Sequence, residues 1–205
     1  SEQTSVSIAD VRFDADRSGL TADAATEHPE DLPEEVVALK AMDGTLTEAQ
    51  AAQVALDLKS ANPTVRLNAV GLLTRAKAPA VVPALIDQGK SATPLIAELA
   101  SAALAHQDTP EAWAALRWQV EIGPFDHNRE SAAKQFGRKA DSASAGFLST
   151  MMSARSWHDR LAGVEAIGAL KSREATIILM AFMQELEPVI RKRVAELSDP
   201  ALELA

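Results

Sequence analysis

The chain has 205 residues, 47% of them hydrophobic but only 4% aromatic, with no cysteine, no tyrosine and a formal net charge of −9. That length supports one sizeable core, while the lack of cysteine excludes disulfides, thiolate metal sites and cysteine nucleophiles. No run of about 18 apolar residues offers a membrane span and no charged-then-apolar leader opens the sequence, so a cytoplasmic protein without membrane attachment is expected.

The charge is uneven along the chain. Residues 1–35 hold ten acidic and two basic residues, a net of −8, whereas the other 170 hold nineteen acidic and eighteen basic, a net of −1. Residues 1–32 therefore read as an acidic N-terminal segment, disordered or docked in cis, ahead of a domain over 33–205. Within it Val6, Ile8, Val11 and Phe13 interleave with polar residues, so a strip over 4–14 is a candidate for packing onto the rest of the molecule.

From there to the end, five short stretches recur every 31 or 32 residues, anchored on Arg66, Ala97, Arg129, Arg160 and Arg191. Three residues after each anchor stands a small or β-branched residue: Ala69, Ala100, Ala132, Gly163 and Val194. Nineteen after the first four stand Leu85, Leu116, Leu148 and Leu179. Columns that keep register mark repeated supersecondary units. One period earlier the register lands on Glu35, with Ala38 and Val54 in the same two columns, so a degenerate first repeat begins near Pro33.

Each period carries two helical patterns, best seen over 63–75 with 79–88 and over 158–170 with 173–186. Start signals precede them at Asn62-Pro63, Thr93-Pro94, Thr109-Pro110, Ser156 and Glu187, where a capping side chain meets free N–H groups or proline gives up no intrahelical bond. No strand pattern interrupts the run. A helix pair of this size cannot bury its apolar face alone, so the pairs must stack, with the leucine column as a continuous core. About five helix pairs and a partial C-terminal unit are predicted, an all-α chain.

Asn-Pro-Thr-Val-Arg-Leu-Asn-Ala-Val at 62–70, Trp-His-Asp-Arg-Leu-Ala-Gly-Val-Glu-Ala-Ile at 157–167 and Glu-Pro-Val-Ile-Arg-Lys-Arg-Val-Ala at 187–195 resemble the short bacterial HEAT repeat. The resemblance implies a right-handed α–α superhelix whose second helices line the concave side. HEAT-like solenoids serve as protein scaffolds, chromophore-lyase components and, in one branch, alkylpurine DNA glycosylases, so it implies fold more than activity. Two departures stand out: Ala97 replaces the usual arginine, and the spacing is one residue longer around Ile122-Gly123-Pro124-Phe125, where a change of superhelical pitch is expected.

Chemistry-bearing motifs are sparse. His28, His106, His127 and His158 are far apart, and no His-Glu-x-x-His, calcium loop or glycine-rich phosphate loop occurs, so no metal and no cofactor is expected. Ser149 and Ser153 read as ordinary helix residues without a nucleophile elbow, and the pairs Glu34 with Glu35 and Glu185 with Glu187 as solvated acidic helix ends. No catalytic residue is assigned. A row of guanidinium groups at Arg66, Arg129, Arg160 and Arg191 has the regularity to hold phosphates, yet the resemblance implies that this position bonds inter-repeat carbonyls or carboxylates, and the structural role is the expected one.

A binding surface is sought on the second helices. Their core falls sixteen, nineteen and twenty-three residues after the anchor, as in Trp113, Leu116 and Val120, which predicts that positions eighteen, twenty-one and twenty-two face outward or sideways. In the later units these carry Trp118, Phe147, Met151, Ile178 and Phe182, a predicted apolar patch with Arg117, Gln119 and Arg155 at its polar rim. The patch marks a non-catalytic interaction module with a protein partner, unless the N-terminal strip or the Leu202 to Leu204 tail covers it. An accessory lyase-type role is one alternative. Nucleic-acid binding is another, through Arg117, Trp118, Arg129, Lys134, Arg138, Lys139 and Arg155, although the twelve basic against nine acidic residues over 59–160 are a modest excess for a phosphate binder.

Overall fold

The computed structural model describes residues 33–42, 44–139, 141–182, 184 and 187–198, and among these the ordered elements are helices and turns with no strand. The acidic segment, its strip over 4–14 and the Leu202 to Leu204 tail lie outside the described residues. In chain order the helices are α1 (Glu34–Lys40), α2 (Glu48–Asp57), α3 (Pro63–Leu73), α4 (Val82–Gly89), α5 (Pro94–Gln107), α6 (Pro110–Ile122), α7 (Asp126–Lys139), α8 (Ala145–Leu148), α9 (Trp157–Ala169), α10 (Arg173–Ala181) and α11 (Pro188–Leu197).

The odd-numbered helices pack on one another in sequence, α1 on α3, α3 on α5, α5 on α7, α7 on α9 and α9 on α11, and form one layer. The even-numbered helices form the second. Five pairs and a single final helix result, because each helix buries one stripe against its pair mate and another against the neighbouring unit. The predicted caps hold at Asn62, whose side chain accepts from Thr64 N at 2.9 Å, and at Thr109, which accepts from Ala112 N at 3.2 Å. Thr47 and Gln50 add a reciprocal capping box at the start of α2.

The leucine column is the spine of the core: Val54, Leu85, Leu116, Leu148 and Leu179 are each 0–1% exposed. In the small column Ala69, Ala100, Ala132, Gly163 and Val194 are all buried. A Cβ on Gly163 would lie 2.9 Å from Met151 Cβ, so this column is where a first helix meets the second helix of the unit before it. Ala38 is exposed, contrary to the extrapolated register, because no described helix precedes α1 to cover that side; α1 instead buries Val36 and Leu39.

The fourth unit departs from the pattern. Its second helix is broken into a 3-10 turn over Ser142–Ser144, the four residues of α8 and another 3-10 turn over Ser149–Ser153. The Ser149 hydroxyl donates to Gly146 O at 2.7 Å and that of Thr150 to Phe147 O at 2.6 Å, local bonds that compete with the α-helical ladder. Ser149 and Ser153 thus sit in 3-10 turns, not in the α-helix expected for them. The last second helix also ends sooner than predicted, at Ala181.

Two backbone positions lead to opposite outcomes on substitution. Gly137 lies mid-helix in α7, where glycine is normally unfavourable, but a Cβ there would sit 3.0 Å from Ala166 O and 3.2 Å from Ala166 Cα. Gly137→Ala should therefore destabilise by about 1–2 kcal/mol despite its better helix propensity. Lys171 ends the α9 turn at φ 47, a left-handed conformation unfavourable to a side chain. Lys171→Gly should stabilise by about 0.5–1 kcal/mol. Urea denaturation of the two variants checks both signs.

Candidate functional site

The arginine column serves the loops between units. Arg66 donates from Nη1 to Ser60 O at 2.7 Å and Ala61 O at 3.0 Å; Arg160 donates from Nη1 to Ala154 O and Arg155 O, both at 3.0 Å; Arg129 donates from Nη1 to Gly123 O at 2.6 Å. In all three the acceptor six residues back is the same. The inserted residue near Ile122 leaves this geometry intact, because the loop from Gly123 to Arg129 keeps the length it has elsewhere. For Arg191 the equivalent carbonyls belong to residues outside the described set.

Ala97 has no guanidinium to offer, and its loop is held from the next unit instead. Asn128 Nδ2 donates to Ser91 O at 3.1 Å and to Gly89 O at 2.9 Å, and His127 Nε2 lies 2.9 Å from Ser91 O. Ser91 is the residue six before Ala97, so the orphaned carbonyl is the same one in a different unit. Gln107 bridges another loop, accepting from Ala78 N and donating to Ala76 O, each at 2.7 Å. Gln88 Nε2 reaches Leu58 O at 3.0 Å.

Ion pairs consume much of the remaining charge. The Arg129 Nε–H group donates to both Asp159 oxygens, at 2.9 and 3.0 Å, and the same guanidinium pairs with Asp126. These contacts, the Asp159 hydrogen bond foremost, push the Arg129 pKa above its ordinary value. Arg193 holds Glu165 through bonds of 2.6 and 2.9 Å and is shifted upward in the same way. Lys134 pairs with Glu98 at 2.8 Å, Arg117 with Glu121 at 3.0 Å, and Arg160 lies 3.7 Å from Glu187. The Trp113 indole donates to Asp108 at 2.8 Å and holds that carboxyl below the usual carboxylate range.

The predicted patch is only partly where the periodicity puts it. Trp118 is 40% exposed, with the Lys90 ammonium 5.4 Å from its ring centroid. Arg117 and Arg155 are exposed as expected of a rim. Phe147 is half-buried at the end of an aromatic row, 4.7 Å from Phe136, which is 5.1 Å from Trp113, and the Arg117 guanidinium covers its outer face at 4.8 Å. Ile178 and Phe182 pack half-buried against the core. Two placements are corrected outright. Met151 is 4% exposed, turned inward against Gly163, and Gln119 is 0% exposed, its Oε1 accepting from the Ser101 hydroxyl at 3.2 Å beside Gly89.

The outward columns prove to be seventeen, twenty and twenty-one. They carry Ala114, Gly146 and Ile177; Arg117 and Met180; and Trp118, Thr150 and Ala181. The large exposed apolar groups of this layer are Leu56 on α2, at 56%, Trp118 and Ile122 on α6, at 40% and 61%, and Ile177 and Met180 on α10, at 58% and 61%, with small and polar residues of the fourth unit between the last two pairs. Ile177 and Met180 are missed from sequence because a stripe assigned one residue out of phase exchanges Ile177 for Ile178, and Ile122 because it lies twenty-five after the anchor, beyond the columns considered.

No family model matches the sequence, and no curated protein matches it. Solved structures do. A chain in the structure of the complex of CpcE and CpcF of phycocyanin lyase from Nostoc sp. PCC7120 is 18% identical with a TM-score of 0.58, over 75% of this chain and 100% of that one. Human deoxyhypusine hydroxylase, in complex with glycerol, is 16% identical with a TM-score of 0.43, over 74% and 73%. The fold is that of the all-α HEAT-like helical solenoids.

The loop donors predict a clear order of stabilities. Asn128→Ala strands the Gly89 carbonyl, leaves Ser91 O to His127 alone and should cost about 2 kcal/mol, and Arg160→Lys, which replaces a guanidinium that meets two carbonyls through Nη1 and Glu187 through Nη2 by a single ammonium, about 1 kcal/mol. Arg117→Ala, which breaks an exposed ion pair and the cation–π contact with Phe147, should stay within about 1 kcal/mol of the parent. Equilibrium unfolding in urea measures all three.

Proposed function

We propose that this chain is a non-catalytic interaction module of the short bacterial HEAT type that binds a protein partner on the concave surface formed by its second helices. The observation that carries this reading is the pair of apolar strips, Trp118 with Ile122 and Ile177 with Met180, standing exposed on second helices two units apart. Large exposed apolar groups along the second-helix layer suit a partner that follows the solenoid axis, and tryptophan and methionine are frequent interface anchors. Phe147, Ile178 and Phe182 support the anchors from beneath, and Arg117 and Arg155 orient the partner at the rim. Met151 and Gln119 are buried packing residues and make no contact in this reading.

Electrostatics favours a protein over a nucleic acid. Arg129, Lys134 and Arg117, three of the seven residues that would contact phosphates, are engaged with carboxylates of the chain itself. The similar Nostoc chain comes from a complex of two proteins of a phycocyanin lyase, and attachment to a second protein chain is the form of partnership proposed here, as an accessory subunit.

The test is affinity purification from the native cell with the parent chain and with Trp118→Ala and Ile177→Ser variants, followed by a binding assay with the purified candidate. Each variant should weaken binding by about tenfold or more while Tm stays unchanged, as expected of exposed hot-spot side chains. Equal affinity of parent and variants for every purified candidate defeats the proposal.

A further inference from the structure

A groove of about 510 Å³ runs between α7 and α9, in the first-helix layer and apart from the second-helix strips. That size is in the range of small-molecule sites, roughly 300–1,000 Å³. On α7 it is lined by Glu130, Lys134 and Arg138, on successive turns of one face. On α9, Trp157 and Leu161 stand above a floor of Ala162 and Ala166. The Trp157 ring lies 3.8 Å from that of His158, so the indole is held as a half-exposed plate at one end of the groove.

The charges along the walls are not equivalent. Lys134 is engaged by Glu98, and Glu165, which also lines the groove, by Arg193. Among the described residues the Arg138 side chain has no ion pair or hydrogen bond. Glu130 lies eight residues earlier on the same face, about 12 Å away along the helix. An anionic group is thus drawn to the Arg138 end and repelled from the Glu130 end, where Trp157 and Leu161 offer apolar contact. A peptide helix, about 10–12 Å across with its side chains, fits poorly, because α7 and α9 close to backbone contact at Gly137, one residue from Arg138.

We infer that the α7–α9 groove is a binding site for a small amphipathic anion, an elongated, flat apolar body lying on Ala162, Ala166 and Leu161 against Trp157, with its acidic group on Arg138. Two probes with one body separate the two halves of the site. 8-Anilinonaphthalene-1-sulfonate carries the anion, and N-phenyl-1-naphthylamine is its uncharged counterpart. The full chain should bind the sulfonate saturably at one site, read by probe fluorescence and by energy transfer from tryptophan. Arg138→Glu should weaken the sulfonate by about tenfold or more, as for loss of a charge-assisted contact, and change the affinity for the amine less than about twofold. Arg138→Lys should retain most of the sulfonate affinity. Trp157→Ala should weaken both probes by about fivefold. Both side chains are exposed, so Tm and helical circular dichroism should match the parent in every variant. Absence of saturable binding, or affinities indifferent to Arg138 and Trp157, overturns the assignment. So does binding lost only with Trp118→Ala, which places the probe on the second-helix face.

Discussion

Stacking helix pairs carries the carbonyls of the intervening loops partly away from water, and a carbonyl left buried without a donor costs about 1–3 kcal/mol. Among the described residues the chain answers this constraint at four successive loops. Arg66, Arg129 and Arg160 each reach the carbonyl six residues back, and Asn128 with His127 performs the same service for the unit that lacks the arginine. Because each donor sits at a fixed register from its acceptor, a loop cannot slide without losing its bond. The helices that follow are thereby held in phase, and the leucine column stays continuous from Val54 to Leu179.

This accounts for what is legible in the sequence. Anchors and core leucines recur because the same bond and the same packing recur, so a period of 31 or 32 residues yields the helix pairs, their order and the buried spine without coordinates. The bond itself is equally periodic, and the structural reading of the arginine column follows from it. The compensation at Ala97 is not legible, since nothing local to residues 91–97 announces that Asn128, in the next unit, will supply the donor. Ala38 fails for a related reason: a column is buried by its neighbour, and the first unit has none before it among the described residues.

The surface is harder to read than the core. On a helix, adjacent residues point about 100° apart, so a one-residue phase error turns a buried side chain into an exposed one. Ile178 and Ile177 are chemically identical and only packing tells them apart. Gln119, polar and next to exposed Trp118, looks like a rim residue, yet it faces the backbone at Gly89, where the absence of a side chain leaves room for it. Met151 is drawn inward by Gly163 in the same way. Small residues on one unit thus decide which large residues of a neighbouring unit are available for binding, a pairing across 30 positions for Gly89 with Gln119 and 12 for Gly163 with Met151 that hydrophobic periodicity does not register.

The broken helix of the fourth unit has a mechanical consequence. Along the first-helix layer α7 and α9 are joined by the Arg129–Asp159 pair and by close backbone approach at Gly137, whereas the facing layer offers at that point four residues of α-helix between two 3-10 turns. Short 3-10 turns have poorer hydrogen-bond geometry than an α-helix and yield first. Among the described residues the first-helix layer is thus continuous at this point, and the facing layer is weakest in the fourth unit. A bending load is expected to concentrate there, so the fourth unit is where the curvature of the second-helix surface changes most readily.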